Sequence, residues 1–285
     1  MSSIAASGGT VPQGEGARRS QLSLRIASAL VLAPGVVLCI FLGPPWFDAL
    51  VAVAIAVMAW EWARLCHEGA FAPDGLVVPA VALGALVAAA LGEVAAAVWI
   101  ALAGGGGAWA LAAALRRTLP IWAGTGTLLI ALAGIGLVWL RGGTVSGALL
   151  TLWFFGAIWM TDTFAYVAGR AIGGPKLAPA ISPGKTWAGL LGGVVASAGF
   201  SAVWPGWLAG QGAARMALAG AAIAVVAQVS DLTVSKVKRR AHVKDSGRLI
   251  PGHGGLLDRA DGFLLTGTAV LALALAGAER ALPWQ

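Results

Sequence analysis

The chain has 285 residues, of which 59% are hydrophobic and only 11% charged, and its mean hydropathy is +0.84. About a quarter of the residues of an ordinary soluble domain are charged, so a water-soluble fold could not hide this much apolar surface. The net charge of +7 sits on Lys and Arg scattered over short loops between apolar runs, which is the pattern of membrane topology and excludes a nucleic-acid binder.

Residues 1–21 are rich in Gly, Ser and Ala, carry Arg18 and Arg19, and show no periodicity, so a disordered cytosolic tail is expected there. Arg18-Arg19 before an apolar run superficially matches a twin-arginine signal, but no A-x-A cleavage pattern follows. From residue 22 to 285 the pattern predicts a single all-α, polytopic membrane domain of about nine transmembrane helices, since about 20 apolar residues cross the hydrocarbon core. The spans are predicted at about 26–43, 47–64, 76–92, 94–115, 120–140, 145–168, 187–208, 215–234 and 262–281. Breaks fall at Gly43-Pro44-Pro45, Pro73-Asp74-Gly75, Arg116-Arg117, Arg141-Gly142-Gly143 and the Gly/Pro-rich run from Gly173 to Gly184. Cys39 and Cys66 lie in or beside apolar runs without a Cys or His at metal-ligand spacing, and read as small apolar residues.

With the N-terminus in the cytosol, loops after even-numbered spans receive Arg64, Arg116, Arg117, Arg170, Lys176, Lys185 and the basic cluster from Lys236 to Arg259. The opposite face receives Arg141, Arg215 and Arg280. The positive-inside rule then puts the N-terminus inside, the C-terminus outside and the charged cluster at the cytosolic face of the cell membrane.

That cluster, from Asp231 to Asp261, is the one strongly charged stretch of the chain. Asp231 lies near the cytosolic end of a span, where an unpaired carboxylate costs about 2.5 to 3.5 kcal/mol. At helical spacing Ser235 and Lys238 share its face, so a local Asp231–Lys238 ion pair is the structural alternative to a functional site. Asp258 and Asp261, three apart at the start of the last span, fall on one helical face. Acids at a helix N-terminus also suit the helix dipole, but two so close repel, and a hard divalent cation resolves that repulsion. Lys236, Lys238, Arg239, Arg240, Lys244, Arg248 and Arg259 stand between and beside the acids, with His253 and the flexible Gly252, Gly254 and Gly255. Acids for a metal, cations for oxyanions and glycines for close backbone approach describe a phosphate-handling site. A basic loop for anionic lipid heads would explain the lysines but not the acids and glycines.

A second patch, Arg170 to Trp187, faces the same side. Its Gly184-Lys185-Thr186 ends like a P-loop, but Pro179 stands where that motif needs Gly and no strand is expected before it. Asp162, inside a span beside Thr161, Thr163 and Tyr166, reads equally well as a hydroxyl-bonded core acid or as a site residue.

The run Ser235-x-Val237-Lys238-Arg239, Lys244-Asp245-x-Gly247 and Ile250-Pro251-x-His253-Gly254-Gly255-Leu256-x-Asp258-Arg259-x-Asp261 resembles the signature of the CDP-diacylglycerol synthases, the phosphatidate cytidylyltransferases. Residues 162–169 and Ser182-Pro183-x-Lys185-Thr186-Trp187 resemble the family as well. The sequence departs from it at Ala260, where a larger apolar residue is usual, and at Ala188, where Glu is. The resemblance implies a magnesium-dependent CTP:phosphatidate nucleotidyltransferase of phospholipid biosynthesis, with CTP, phosphatidate and membrane lipids as partners. It implies Asp231, Asp258 and Asp261 as metal ligands, with Lys238, Arg239 and Lys244 in the catalytic set. Ser182, Lys185, Thr186, His253, Gly254, Gly255 and Arg259 would bind substrate phosphates. A second cation and a homodimer are left open. The rivals are another membrane nucleotidyl or phosphoryl transferase acting on a lipid phosphate, and an anion or lipid transporter. The CDP-alcohol phosphotransferases are excluded because their DG…AR…D pattern is absent.

Overall fold

The computed structural model describes residues 32–67, 69–70, 72–204, 212–247, 249 and 254–277. The expected N-terminal tail, His253 and Arg248, and positions 26–31, 205–208 and 278–281 of the first, seventh and last predicted spans lie outside these residues.

The described chain is a helical bundle. Its helices are α1 (Leu32–Leu42), α2 (Trp46–Cys66), α3 (Val77–Ala90), α4 (Val94–Ala114), α5 (Pro120–Arg141), α6 (Val145–Ala171), α7 (Trp187–Val203), α8 (Ala213–Arg240) and α9 (Leu257–Leu275). A 3-10 turn, Pro73–Leu76, runs directly into α3. Six of these segments are long and apolar enough to cross a membrane by length and composition: α2, Pro73–Ala90, α4, α5, α6 and α8. Among the described residues α1 and α7 are shorter apolar helices, and α9 carries Asp258, Arg259 and Asp261 in its first turns. The expected all-α membrane architecture is present, while among the described residues six helical segments qualify as crossings on length and hydropathy.

Two groups of helices pack around shared members. Helix α5 lies at the centre of α2, α3, α4 and α9, and α6, α7 and α8 form a second layer joined through α8 to α9. Bilayer lipid is as apolar as the side chains, so close packing between small residues replaces the hydrophobic drive. At the α5–α9 crossing a Cβ on Gly136 would overlap the carbonyl oxygen of Gly267, so this approach is open only to glycine. Large side chains on the outside, such as Val53, Trp99, Ile121 and Val195, stay exposed for lipid. Arg141, expected on an exposed loop, is instead buried at 4% exposure, and its guanidinium donates to the carbonyls of Ile40, Gly142 and Thr144. It thereby joins the C-terminal ends of α1 and α5.

The Gly/Pro-rich run expected as irregular loop contains an antiparallel hairpin, β1 (Lys176–Ala178) and β2 (Ser182–Thr186), with Lys176 opposite Thr186 and Ala178 opposite Ser182. A strand therefore does precede Lys185, and the P-loop is excluded by Pro179 alone. Thr186 ends β2 and caps α7: its hydroxyl accepts from the Gly189 N–H at 3.0 Å, as N-cap threonines do.

Candidate active site

Charged groups converge where α2, α6 and α8 end and where α7 and α9 begin. Helix α6 brings Asp162, Tyr166 and Arg170; the hairpin brings Ser182 and Lys185; α8 brings Gln228 and Asp231; α9 brings Asp258, Arg259 and Asp261. These residues line a cavity of about 630 Å³, within the usual range for small-molecule sites.

The bonds across it are specific. Lys185 Nζ lies 2.6 Å from Asp231 Oδ2 and donates to Gln228 Oε1 at 3.0 Å. Ser235 Oγ, one turn along α8, donates to Asp231 Oδ1 at 3.1 Å. Asp231 is therefore partnered by Lys185 of the hairpin and by Ser235, and the local Asp231–Lys238 ion pair, the structural alternative along α8, does not form. Lys238 turns to α9, its Nζ 2.6 Å from Asp258 Oδ1, with side chains only 12% and 10% exposed. The second oxygen of Asp258 accepts from the backbone N–H groups of Ser246 at 2.9 Å and Gly255 at 3.3 Å. Both oxygens of Asp258 are thus committed to protein donors. Among the described residues Asp261 makes only a local bond, accepting from the Gly262 N–H at 2.9 Å. The charges of Asp162, Asp231 and Asp261 act on one another across the cavity, opposed by Lys185, Lys238 and Arg259. Among the described residues no three acid, His or Cys side chains stand close enough to hold a metal by themselves.

Of the residues singled out from the sequence, Ser182, Lys185, Thr186, Asp231, Asp258, Arg259 and Asp261 line the cavity. Lys238 and Gly255 reach it through Asp258, and Gly254 takes the left-handed backbone, φ +86°, at the turn into α9. Asp162, left undecided by the sequence, belongs to the cavity wall. Arg239 and Lys244 do not line it: both are exposed, and Arg239 Nε donates to the Ile181 carbonyl at 3.2 Å, tying the end of α8 to the hairpin turn. Of the two departures, Ala260 packs against the core, and Ala188 sits in the first turn of α7.

Three polar residues escaped the sequence reading. Gln228 steadies Lys185. Ser230 is buried beside Asp231; its hydroxyl donates to the Asp261 carbonyl and accepts from the Leu265 N–H at 3.1 Å, holding α9 to α8. Glu61 on α2, 3% exposed, binds Ser246 and the start of α9. A signal for Glu61 was present, an acid between Trp60 and Trp62 in an apolar run, because ionisable residues within spans mark sites by default.

Fold and site together define a multi-pass membrane protein with an acid- and cation-lined cavity at one end of its helices. Residues 23–276 match the model of the Cytidylyltransferase family, and the chain belongs to that family. It is 38% identical over 257 residues to a phosphatidate cytidylyltransferase of Pseudomonas aeruginosa, covering 84% of this chain and 92% of that one. It is 30% identical over 259 residues to the protein of that name from Rickettsia bellii, covering 87% and 89%. A phosphatidate cytidylyltransferase of Brucella abortus biovar 1 is 41% identical over 143 residues; that match spans half of this chain and about half, 53%, of the relative.

Proposed function

We propose that the protein transfers the cytidylyl group of CTP to phosphatidate, giving CDP-diacylglycerol and pyrophosphate. What carries the reading is the cavity itself, in which acids from three helices face Lys185 and Arg259, in a chain whose relatives bear the name phosphatidate cytidylyltransferase.

The phosphate monoester of phosphatidate, with a second pKa of about 6 by analogy with phosphorylated side chains, is largely ionised at neutral pH and needs no strong general base. Its oxygen attacks the α-phosphorus of CTP; a new P–O bond forms as the bond to the β-phosphate breaks, and the bonding pair leaves with pyrophosphate. Catalysis then rests on positioning and charge neutralisation. Lys185, aimed by Gln228 and Asp231, and Arg259 supply positive charge beside the transferring phosphoryl groups. Lys238 acts through Asp258, holding the first turn of α9.

Magnesium fits these residues. Asp231 and Asp261, with Asp162 near them, carry like charges into one cavity, and magnesium is usually bound by one or two carboxylates plus substrate phosphates and water. Asp261 would hold it with Asp231, whose partners Lys185 and Ser235 are side chains that can give way to an ion, whereas Asp258 accepts from two backbone N–H groups as well as from Lys238 and anchors the chain before α9. Bound there, the ion would neutralise charge on the triphosphate. Purified protein given labelled CTP and phosphatidate is expected to form CDP-diacylglycerol with magnesium and to stop when the metal is chelated. No product under either condition sinks the function; product that survives chelation sinks the metal dependence.

The catalytic unit is the domain from 22 to 285, placed in the cytoplasmic membrane with its site toward the cytosol. Supporting this orientation, the ends of α2, α6 and α8 carry Arg64, Arg170 and Lys238 to Arg240 to the side where the cavity lies. In a variant lacking the two native cysteines, Lys244→Cys is expected to react with an impermeant maleimide only in inverted vesicles. Labelling of intact cells reverses the topology.

A further inference from the structure

We infer that Glu61 is a positioning residue for the catalytic face of α9: from a different helix it caps the start of α9, whose first two turns carry Asp258, Arg259 and Asp261. This rests on the assignment of the cavity to cytidylyl transfer.

Glu61 lies one turn before the end of α2 and is 3% exposed. Its Oε1 accepts from the Leu256 N–H at 3.1 Å; its Oε2 accepts from the Leu257 N–H at 2.8 Å and from the Ser246 hydroxyl at 3.0 Å. Among the described residues no Lys or Arg pairs with it. The compensation for a buried carboxylate comes from those three donors and the positive end of α9. The first N–H groups of a helix have no partner within it, and Leu256 at the N-cap of α9 supplies no side-chain cap. Glu61 does that work from α2.

Two glycines make room for it. A Cβ on Gly255 would come within 2.6 Å of Oε2, and one on Gly247 would press on Oε1. Asp258 grips the same backbone from the other side, through the Ser246 and Gly255 N–H groups. Ser246 and residues 255–257 are therefore clasped by two carboxylates, one from α2 and one from α9 itself. Arg259 and Asp261 follow within the next turn, so the setting of α9 fixes where both enter the cavity. Nothing on α2 lines that cavity, and Glu61 acts only through this backbone.

Glu61→Gln keeps the shape but turns an acceptor into a donor facing an N–H. In the full-length protein, hydrogen exchange over 254–260 is expected to rise while α3, α4 and α5 stay as protected as before. The kcat is expected to fall about tenfold to a hundredfold, the usual effect of losing such a support, with KM for phosphatidate little changed. Gly255→Ala, which crowds the carboxylate, is expected to do the same and serves if Glu61→Gln does not fold. Normal exchange and kcat in the folded variant overturn the inference. So does loosening spread over all helices with normal kcat per folded molecule. A wild-type protein inactive on CTP and phosphatidate, whose Glu61→Gln variant still loosens at 254–260, refutes the activity while leaving the clasp standing.

Discussion

Asp261→Asn is expected to abolish cytidylyl transfer in a protein that folds normally. Among the described residues the Asp261 carboxylate accepts one hydrogen bond, from the Gly262 N–H, which the Asn carbonyl can still accept, and the link from Ser230 runs to the Asp261 backbone carbonyl. What disappears is one of three like charges that meet in the cavity. Folding gains from that loss, because repulsion with Asp162 and Asp231 falls away; catalysis loses a metal-holding oxygen. Charge stabilisation of this kind is worth several kcal/mol, and about 4 kcal/mol corresponds to roughly a thousandfold in kcat. The expected pair of results is a turnover of labelled CTP lowered about a thousandfold and an unfolding temperature in detergent equal to or above that of the wild type. Unchanged magnesium-dependent turnover would falsify the assignment of Asp261 to the metal.

The opposite pairing is expected at Asp258. Asp258→Ala strands the ammonium of Lys238, 12% exposed, and removes the acceptor of two backbone N–H groups. Breaking a buried ion pair by deleting one partner costs about 3–5 kcal/mol, so a marked drop in the unfolding temperature should accompany the loss of activity. Adding Lys238→Met to Asp258→Ala takes away the stranded charge, and the double variant is expected to regain stability without regaining turnover. A double variant no more stable than the single one would show that the pair is not what holds α8 to α9. Read side by side, the two acids separate: Asp261 costs activity and spares stability, while Asp258 costs both.

The helices were largely legible. Spans expected at 47–64, 94–115, 120–140 and 145–168 appear as Trp46–Cys66, Val94–Ala114, Pro120–Arg141 and Val145–Ala171, because length and apolarity are local properties and Gly/Pro punctuation marks the ends. Helix α8 runs to Arg240, beyond the expected 234, since Lys and Arg are good helix formers and nothing obliges a helix to stop where hydrocarbon stops. Helix α9 starts at Leu257 and not at 262, and Asp258 and Asp261 lie in its first two turns, as their spacing at the start of the last span led one to expect. The hairpin at 176–186 was not legible: its strands are short and interrupted by Pro and Gly, which carry no period-two signal.

By itself the sequence determined that this is an all-α membrane protein, that its charge gathers between Asp231 and Asp261, and that this stretch resembles a cytidylyltransferase signature. Those are properties of composition and of spacing along the chain. Only the tertiary structure decided which charges meet. Asp231 pairs with Lys185, 46 positions back in the chain, and not with Lys238 on its own helix face, while Lys238 pairs with Asp258. Two acids three residues apart differ in their surroundings: Asp258 is held by Lys238 and the Ser246 and Gly255 N–H groups, while Asp261 bonds only its neighbour Gly262 among the described residues and faces Asp162 and Asp231 in the cavity. Glu61, far from the signature in sequence, reaches the first turn of α9. A carboxylate in a low-dielectric interior is settled by whichever donors packing brings within about 3 Å, and sequence separation does not enter that choice. The charged stretch from Asp231 to Asp261 is therefore one wall of a site whose other walls come from α6, the hairpin and the start of α7, with α2 holding the first turn of α9 from behind.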